Sequence, residues 1–219
     1  MAVAERHTFQ ILTKRPGRMR SMLTSDRFWE SVKSIVGEYG SSSAAETVID
    51  AHVLPNVWIG VSVETQKWAR PRLTNLLATP ASVRFVSCEP LLGSLDLWPW
   101  LDSLDWIIAG GESGARARPM HPDWARSLRD QCVQADVPFF FKQWGQFAPE
   151  SACVWVDSDG APRGAIAVID PRGRSWTRTP LIAPADAIRM RRVGKGRAGR
   201  MLDDRTWNEF PVVVEGKAG

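Results

Sequence analysis

Five short apolar runs punctuate the first 149 residues, and each is followed by polar residues. They are 8–13 (Thr-Phe-Gln-Ile-Leu-Thr), 57–63 (Val-Trp-Ile-Gly-Val-Ser-Val), 83–87 (Val-Arg-Phe-Val-Ser), 106–109 (Trp-Ile-Ile-Ala) and 138–141 (Pro-Phe-Phe-Phe). Runs this short and this apolar fit strands of a buried parallel sheet better than helices. Between them lie stretches with helical spacing. Residues 18–39 carry Met19, Met22, Leu23, Phe28, Val32, Ile35 and Val36 in one periodic set. Residues 66–77 carry Trp68, Leu73, Leu76 and Leu77, and Pro122 opens a helix to about Ala135 with Trp124, Leu128 and Cys132 on one face. Residues 91–104 are apolar but broken by proline and glycine, which predicts an irregular crossover with a short helix near residues 98–104. The alternation predicts an α/β fold built as an incomplete (β/α) barrel of about five parallel strands.

After Gly145 the pattern changes. Residues 154–160 and 165–170 read as short strands joined by glycine- and proline-bearing turns. Residues 189–200 form a basic, glycine-bearing segment, 201–204 and 207–211 end the ordered part, and 212–219 read as a frayed tail. The expected division is therefore a partial barrel over 1–149 and a small β/irregular appendage over 150–219.

The strand ends carry the candidate chemistry. In parallel α/β folds, ligands bind at the C-terminal ends of strands. Here those ends hold Lys14 and Arg15, Ser62 and Glu64, Glu89, Glu112 and Ser113, and Lys142 and Gln143. Strands lying side by side bring them to one rim. Mixed carboxylates and cations suit a zwitterionic or nucleotide-like ligand better than a bare phosphate. No Gly-x-Gly-x-x-Gly follows a predicted strand and no P-loop occurs, so the usual dinucleotide and phosphate fingerprints are missing.

Composition narrows the field. Hydrophobic residues make up 44% and charged residues 24%, which is ordinary for a globular domain. No apolar run is long enough to span a membrane, and the first residues lack the apolar core of a signal peptide, so the expected location is cytoplasmic and without membrane contact. Eleven tryptophans stand against one tyrosine. The net charge of +4 is uneven: residues 172–205 hold ten Arg/Lys and three Asp/Glu, a local balance of +7. Arg189, Arg191, Arg192, Lys195, Arg197 and Arg200 in this stretch are the candidate contacts to nucleic acid. Cys88, Cys132 and Cys153 include no Cys-x-x-Cys pair, which predicts reduced thiols and no metal site.

Several motifs resemble a family of uncharacterised phage and prophage proteins. They are His7 to Pro16, Trp58 to Glu64, Ser87 to Leu91, Gly110 to Gly114, Phe141 to Gly145, and Val193 to Lys195 with Ala198 to Arg200. That family looks like a distant relative of radical S-adenosylmethionine enzymes such as spore photoproduct lyase. The resemblance implies S-adenosylmethionine as cofactor, bound by Ser62, Glu64, Glu112, Ser113, Lys14 and Arg15, and a nucleic-acid or nucleotide substrate. It also implies an N-terminal half bearing a cysteine cluster, which this chain does not carry. Its own cysteines do not match the cluster positions, so a [4Fe–4S] cluster and radical chemistry are not expected here. The catalytic candidates are Glu112, Lys142 and Glu89. Two further expectations follow. The chain is a truncated enzyme relative, or it is a non-catalytic accessory module for nucleic acid or a partner protein. A half barrel also leaves a sheet edge open, so the missing half or a second copy is expected to complete it.

Overall fold

The computed structural model describes residues 1–39, 51–152, 164–176 and 183–212. Five parallel strands form the central sheet in chain order: β1 (Phe9–Thr13), β2 (Val57–Ser62), β3 (Val83–Cys88), β4 (Trp106–Gly110) and β5 (Phe139–Gln143). The sheet is open and does not close into a barrel. β2 and β4 are buried along their whole length, whereas β1 alternates between half-buried and exposed, as an edge strand does. Register is pinned by pairs such as Ile11 with Ile59, Ser62 with Ser87, and Cys88 with Ala109.

The period of two sorts the side chains onto two faces. Val61, Val86, Ile107, Phe139 and Phe141 pack beneath the helices, with Leu73 and Leu76 of α3 (Gln66–Leu77) and Leu128 and Cys132 of α4 (Pro122–Gln134). Trp58, Val83, Phe85, Trp106 and Ile108 form a separate cluster on the opposite face, against Phe140. Gly60 lies in this face because the Phe85 ring crosses it: a Cβ there would stand 2.4 Å from the ring. Much of the tryptophan content is accounted for by such packing.

The expected helix over 18–39 is two helices, α1 (Pro16–Leu23) and α2 (Asp26–Glu38). Thr24 closes the first, and the Ser25 hydroxyl accepts from the Phe28 N–H at 3.4 Å to open the second. Thr-Ser-Asp is a stop-and-restart signal that apolar spacing overlooks. A 3₁₀ turn at Trp98–Ser103 fills the irregular crossover.

The C-terminal residues build a four-stranded antiparallel sheet, ordered β6 (Phe147–Pro149), β9 (Ile188–Arg192), β7 (Ile166–Ile169), β8 (Ser175–Trp176). The strand expected over 154–160, and Cys153, lie outside the described residues. A short helix, α5 (Lys195–Ala198), and a hairpin of β10 (Met201–Leu202) and β11 (Arg205–Thr206) follow. Asp203 and Asp204 turn that hairpin with φ of 51° and 57°, the left-handed pair a two-residue turn of this hand demands. Asp203 then grips Arg126 and Arg129 of α4 at 2.7 and 2.5 Å.

The segment after the hairpin seals the β5 edge. The Phe141 N–H donates to Trp207 O, the Glu209 N–H to Phe139 O, and the Phe139 N–H to the Glu209 carboxylate at 2.9 Å. Phe210 packs on Trp106 and Phe140. The core therefore draws on both ends of the chain, with Met190, Leu202 and Trp207 among its members. No helix among the described residues is long and apolar enough to cross a membrane.

Candidate functional site

The polar strand ends meet at the C-terminal edge of the parallel sheet. Lys14 follows β1 and Glu64 follows β2; the Lys14 ammonium donates to Glu64 Oε1. Arg72, nearly two turns into α3, donates through Nη1 to Glu64 Oε2 at 2.7 Å and to Ser62 O at 2.6 Å. Its guanidinium lies over the Trp68 ring at 4.6 Å. Burial pushes the Glu64 carboxyl up, but the Lys14 hydrogen bond, its backbone hydrogen bond and the Arg72 and Lys14 charges outweigh burial and hold it below its ordinary value.

Ser87, next to last in β3 and paired with Ser62, donates to Glu89 Oε2 at 3.1 Å. Lys142 reaches Glu89 at 3.3 Å from β5. Gly110, at the end of β4, lets that carboxylate lie across the strand, since a Cβ there would stand 2.8 Å from Glu89 Oε1. The peptide bond between Glu89 and Pro90 is cis. The loop after it bridges two neighbours: Leu91 N–H donates to Gly110 O and Leu92 N–H to Glu64 O, both at 2.9 Å. Lys142 and Gln143 lie inside β5 rather than beyond it. A register shift between Ala109 and Gly110 accommodates the longer strand.

Glu112 is held by Arg118 in a bidentate fork, with Nε to Oε2 and Nη2 to Oε1 at 2.8 Å each, and the Arg118 N–H adds a third bond at 2.8 Å. These bonds set the Glu112 carboxyl below its ordinary value despite partial burial. Gln143 donates to Ser113 Oγ at 3.2 Å. The loop is fixed from beneath by close backbone packing: a Cβ on Gly111 would lie 1.9 Å from Trp144 O, and Gly145 takes φ of 81° against Glu112.

The rim thus joins Lys14 to Glu64 directly, Glu64 to the Ser62 carbonyl through Arg72, and Ser87, Glu89 and Lys142 through hydrogen bonds. Arg15 does not join it. It is exposed at the N-terminal boundary of α1, where its N–H donates to Thr13 Oγ1. Arg72 and Arg118 are the two functional side chains that strand-end reasoning passes over. Arg72 shares the buried stripe of Ala69, Leu73 and Leu76, and an arginine in an apolar stripe is the signal that finds it. Arg118 stands only six residues beyond its partner, in the glycine-bearing loop.

The three histidines lie elsewhere. His7 packs edge-on to Phe9, His52 stacks on Trp29, and His121 is fully buried at the N-cap of α4. The rim therefore contains no imidazole base beside a hydroxyl. Cys88 and Cys132 are buried in the helix-side core, and burial raises both thiols, Cys132 to about 12. No cluster of three or more His, Cys, Asp or Glu suited to a metal occurs among the described residues.

The basic segment is largely engaged within the protein. Arg189 pairs with Glu150 at 2.6 Å, and Arg191 pairs with the same carboxylate. Arg192 donates to Gly114 O and Ala115 O at 3.0 Å, and Arg200 donates to Asn208. Lys195 and Arg197 are exposed on α5. The residues Gly194-Lys195-Gly196-Arg197-Ala198-Gly199 do follow a strand, β9, contrary to the sequence expectation. That strand is antiparallel and the helix spans four residues, so the parallel βαβ setting of a dinucleotide fingerprint is not reproduced.

The chain belongs to the family described as Protein of unknown function (DUF5131), whose model matches residues 1–211. No curated protein and no solved structure matches it.

Proposed function

We propose that this member of the family binds a small zwitterionic nucleoside, of the S-adenosylmethionine type, across the C-terminal ends of its five strands. The observation that carries the reading is the charge order of the rim. Two carboxylates, Glu64 and Glu89, stand between the ammonium groups of Lys14 and Lys142, and each pairs with one of them. A ligand with a hydroxyl-rich sugar, a cationic amine and a carboxylate finds a complementary partner for every group.

The residues fit that ligand class. Glu64 is held ionised by the Lys14 hydrogen bond, with its backbone hydrogen bond and the Arg72 charge adding to it, and Glu112 by Arg118, so each accepts hydrogen bonds and is a poor proton donor. Glu64 suits a ribose diol, and Glu112 with Ser113 suits an amine. Lys14 and Lys142, both about half exposed, suit the ligand's carboxylate. S-adenosylmethionine itself supplies a sulfonium centre when bound. The protein's part is to orient it and to hold its charges in fixed surroundings. The motifs resemble an uncharacterised phage family that itself looks like a distant relative of radical S-adenosylmethionine enzymes, and that resemblance supports the same choice. The nucleic-acid reading is weaker, because most of the basic segment's guanidiniums already serve internal contacts.

Titration calorimetry with S-adenosylmethionine tests this. Binding is expected in the native protein and about tenfold weaker, or more, in Glu64→Gln. Heat indistinguishable from dilution at millimolar ligand, in a protein shown by circular dichroism to be folded, would sink the reading.

A further inference from the structure

The two edges of the parallel sheet are treated differently. The β5 edge is sealed by residues 207–209 of the same chain. The β1 edge is not. Parallel pairing turns the backbone groups of Phe9, Ile11 and Thr13 toward β2, beginning with the Phe9 N–H on Asn56 O at 2.8 Å. Gln10 and Leu12 then point their N–H and C=O groups outward, and among the described residues these groups have no backbone partner. Gln10 is exposed, and the Leu12 side chain is 49% exposed beside it. On the helix side, Ile11 lines an apolar cavity of about 300 Å³ with Leu23, Phe28, Trp29, Val57 and Ile59.

We propose that the β1 edge accepts an extended strand from a second polypeptide, apolar at alternate positions and acidic at the end that lies beside Arg15. Edge strands with free ladder groups take added strands, and backbone bonds supply the affinity. A residue set opposite Ile11 shares its face and its apolar surroundings, which requires the alternation. Charge selects the occupant. Residues 1–20 contain five Arg/Lys (Arg6, Lys14, Arg15, Arg18 and Arg20) against one acid, Glu5. Arg15, Arg18 and Arg20 are exposed at the C-terminal end of β1 with no acid among residues 14–20, whereas Arg6 at the other end has Glu5 as its neighbour. A second copy pairing antiparallel about Ile11 would set Arg15 beside His7 and Pro16 beside Arg6 of the other copy, which gives Arg15 no acidic partner. A strand with acidic residues at that end supplies one. The proposal is independent of ligand binding at the rim.

The probe is an eight-residue peptide of alternating threonine and valine closed by two glutamates, with a matched peptide closed by two lysines. Amide exchange is followed at Gln10 and Leu12. The glutamate peptide is expected to slow exchange at both amides about tenfold, and to bind about tenfold tighter than the lysine peptide. The double variant Arg15→Glu with Arg18→Glu, whose sites are exposed, is expected to lose that preference. Unchanged exchange with the glutamate peptide overturns the proposal, as does equal binding of the two peptides. Concentration-dependent protection of the same amides without peptide also overturns it, because a second copy would then be the occupant.

Discussion

Arg72 shows how far one side chain reaches into the rim. It is 8% exposed, and it satisfies a buried carboxylate and the Ser62 carbonyl together. Replacing it by methionine keeps the apolar stem and leaves Glu64 to Lys14 alone. The expected cost is about 3 kcal/mol at neutral pH, read as a lower urea midpoint, because one partner of a buried pair is gone. The pH dependence has a definite sign. Glu64 titrates lower in the folded protein than in the unfolded chain, so its stabilisation is full above the unfolded value and is lost as pH falls through the folded one. The gap between native protein and Arg72→Met should therefore close in acid. A gap that stays constant down to pH 2 would refute the pairing as its source. Removing Arg118 by Arg118→Ala frees an exposed side chain from Glu112, so stability should change by less than about 1 kcal/mol. The sequence alone exposed Lys14, Glu64, Glu89, Glu112 and Lys142, because each stands at or next to a strand end. It hid their arginine partners, because pairing across elements leaves no periodic trace.

Elements behave by the same logic of space. Gly60 and Gly111 sit in strands β2 and just beyond β4, and neither is there for a turn. Gly60→Ala drives a methyl into the flexible end of the Phe85 side chain, which should cost about 1–3 kcal/mol and be partly recovered in the double variant with Phe85→Leu. Gly111→Ala meets the Trp144 carbonyl at 1.9 Å, where only backbone can give way, so a larger loss is expected and no side-chain change should restore it. Differential scanning calorimetry distinguishes the two. Five strands and the helices between them were readable because each buries a long enough apolar pattern. The split of α1 from α2 was not, since the apolar spacing continues through Thr24 and Ser25. Strands of two or three residues, β6, β8, β10 and β11, are shorter than any period can mark.

At the scale of the molecule, the open five-stranded sheet was legible, and the way its edges are managed was not. The seal on β5 joins residues about 70 positions apart and depends on a hairpin whose turn is two aspartates, so local pattern could not announce it. A chain ending at Thr206 should exchange the Phe139 and Phe141 amides much faster while Ile59 and Val61, in the buried β2, stay protected. Equal protection at all four would mean that the seal contributes nothing. The same arrangement has a consequence for biosynthesis. A ribosome moving at about 5–20 residues per second needs roughly 3–13 s to pass from Gln143 to Trp207. Throughout that interval the nascent sheet carries a bare β5 edge and the aromatic face around Trp106 without Phe210. The chain is thus most prone to sticking to its neighbours in that interval, and its need for chaperones should peak just before residues 207–210 emerge.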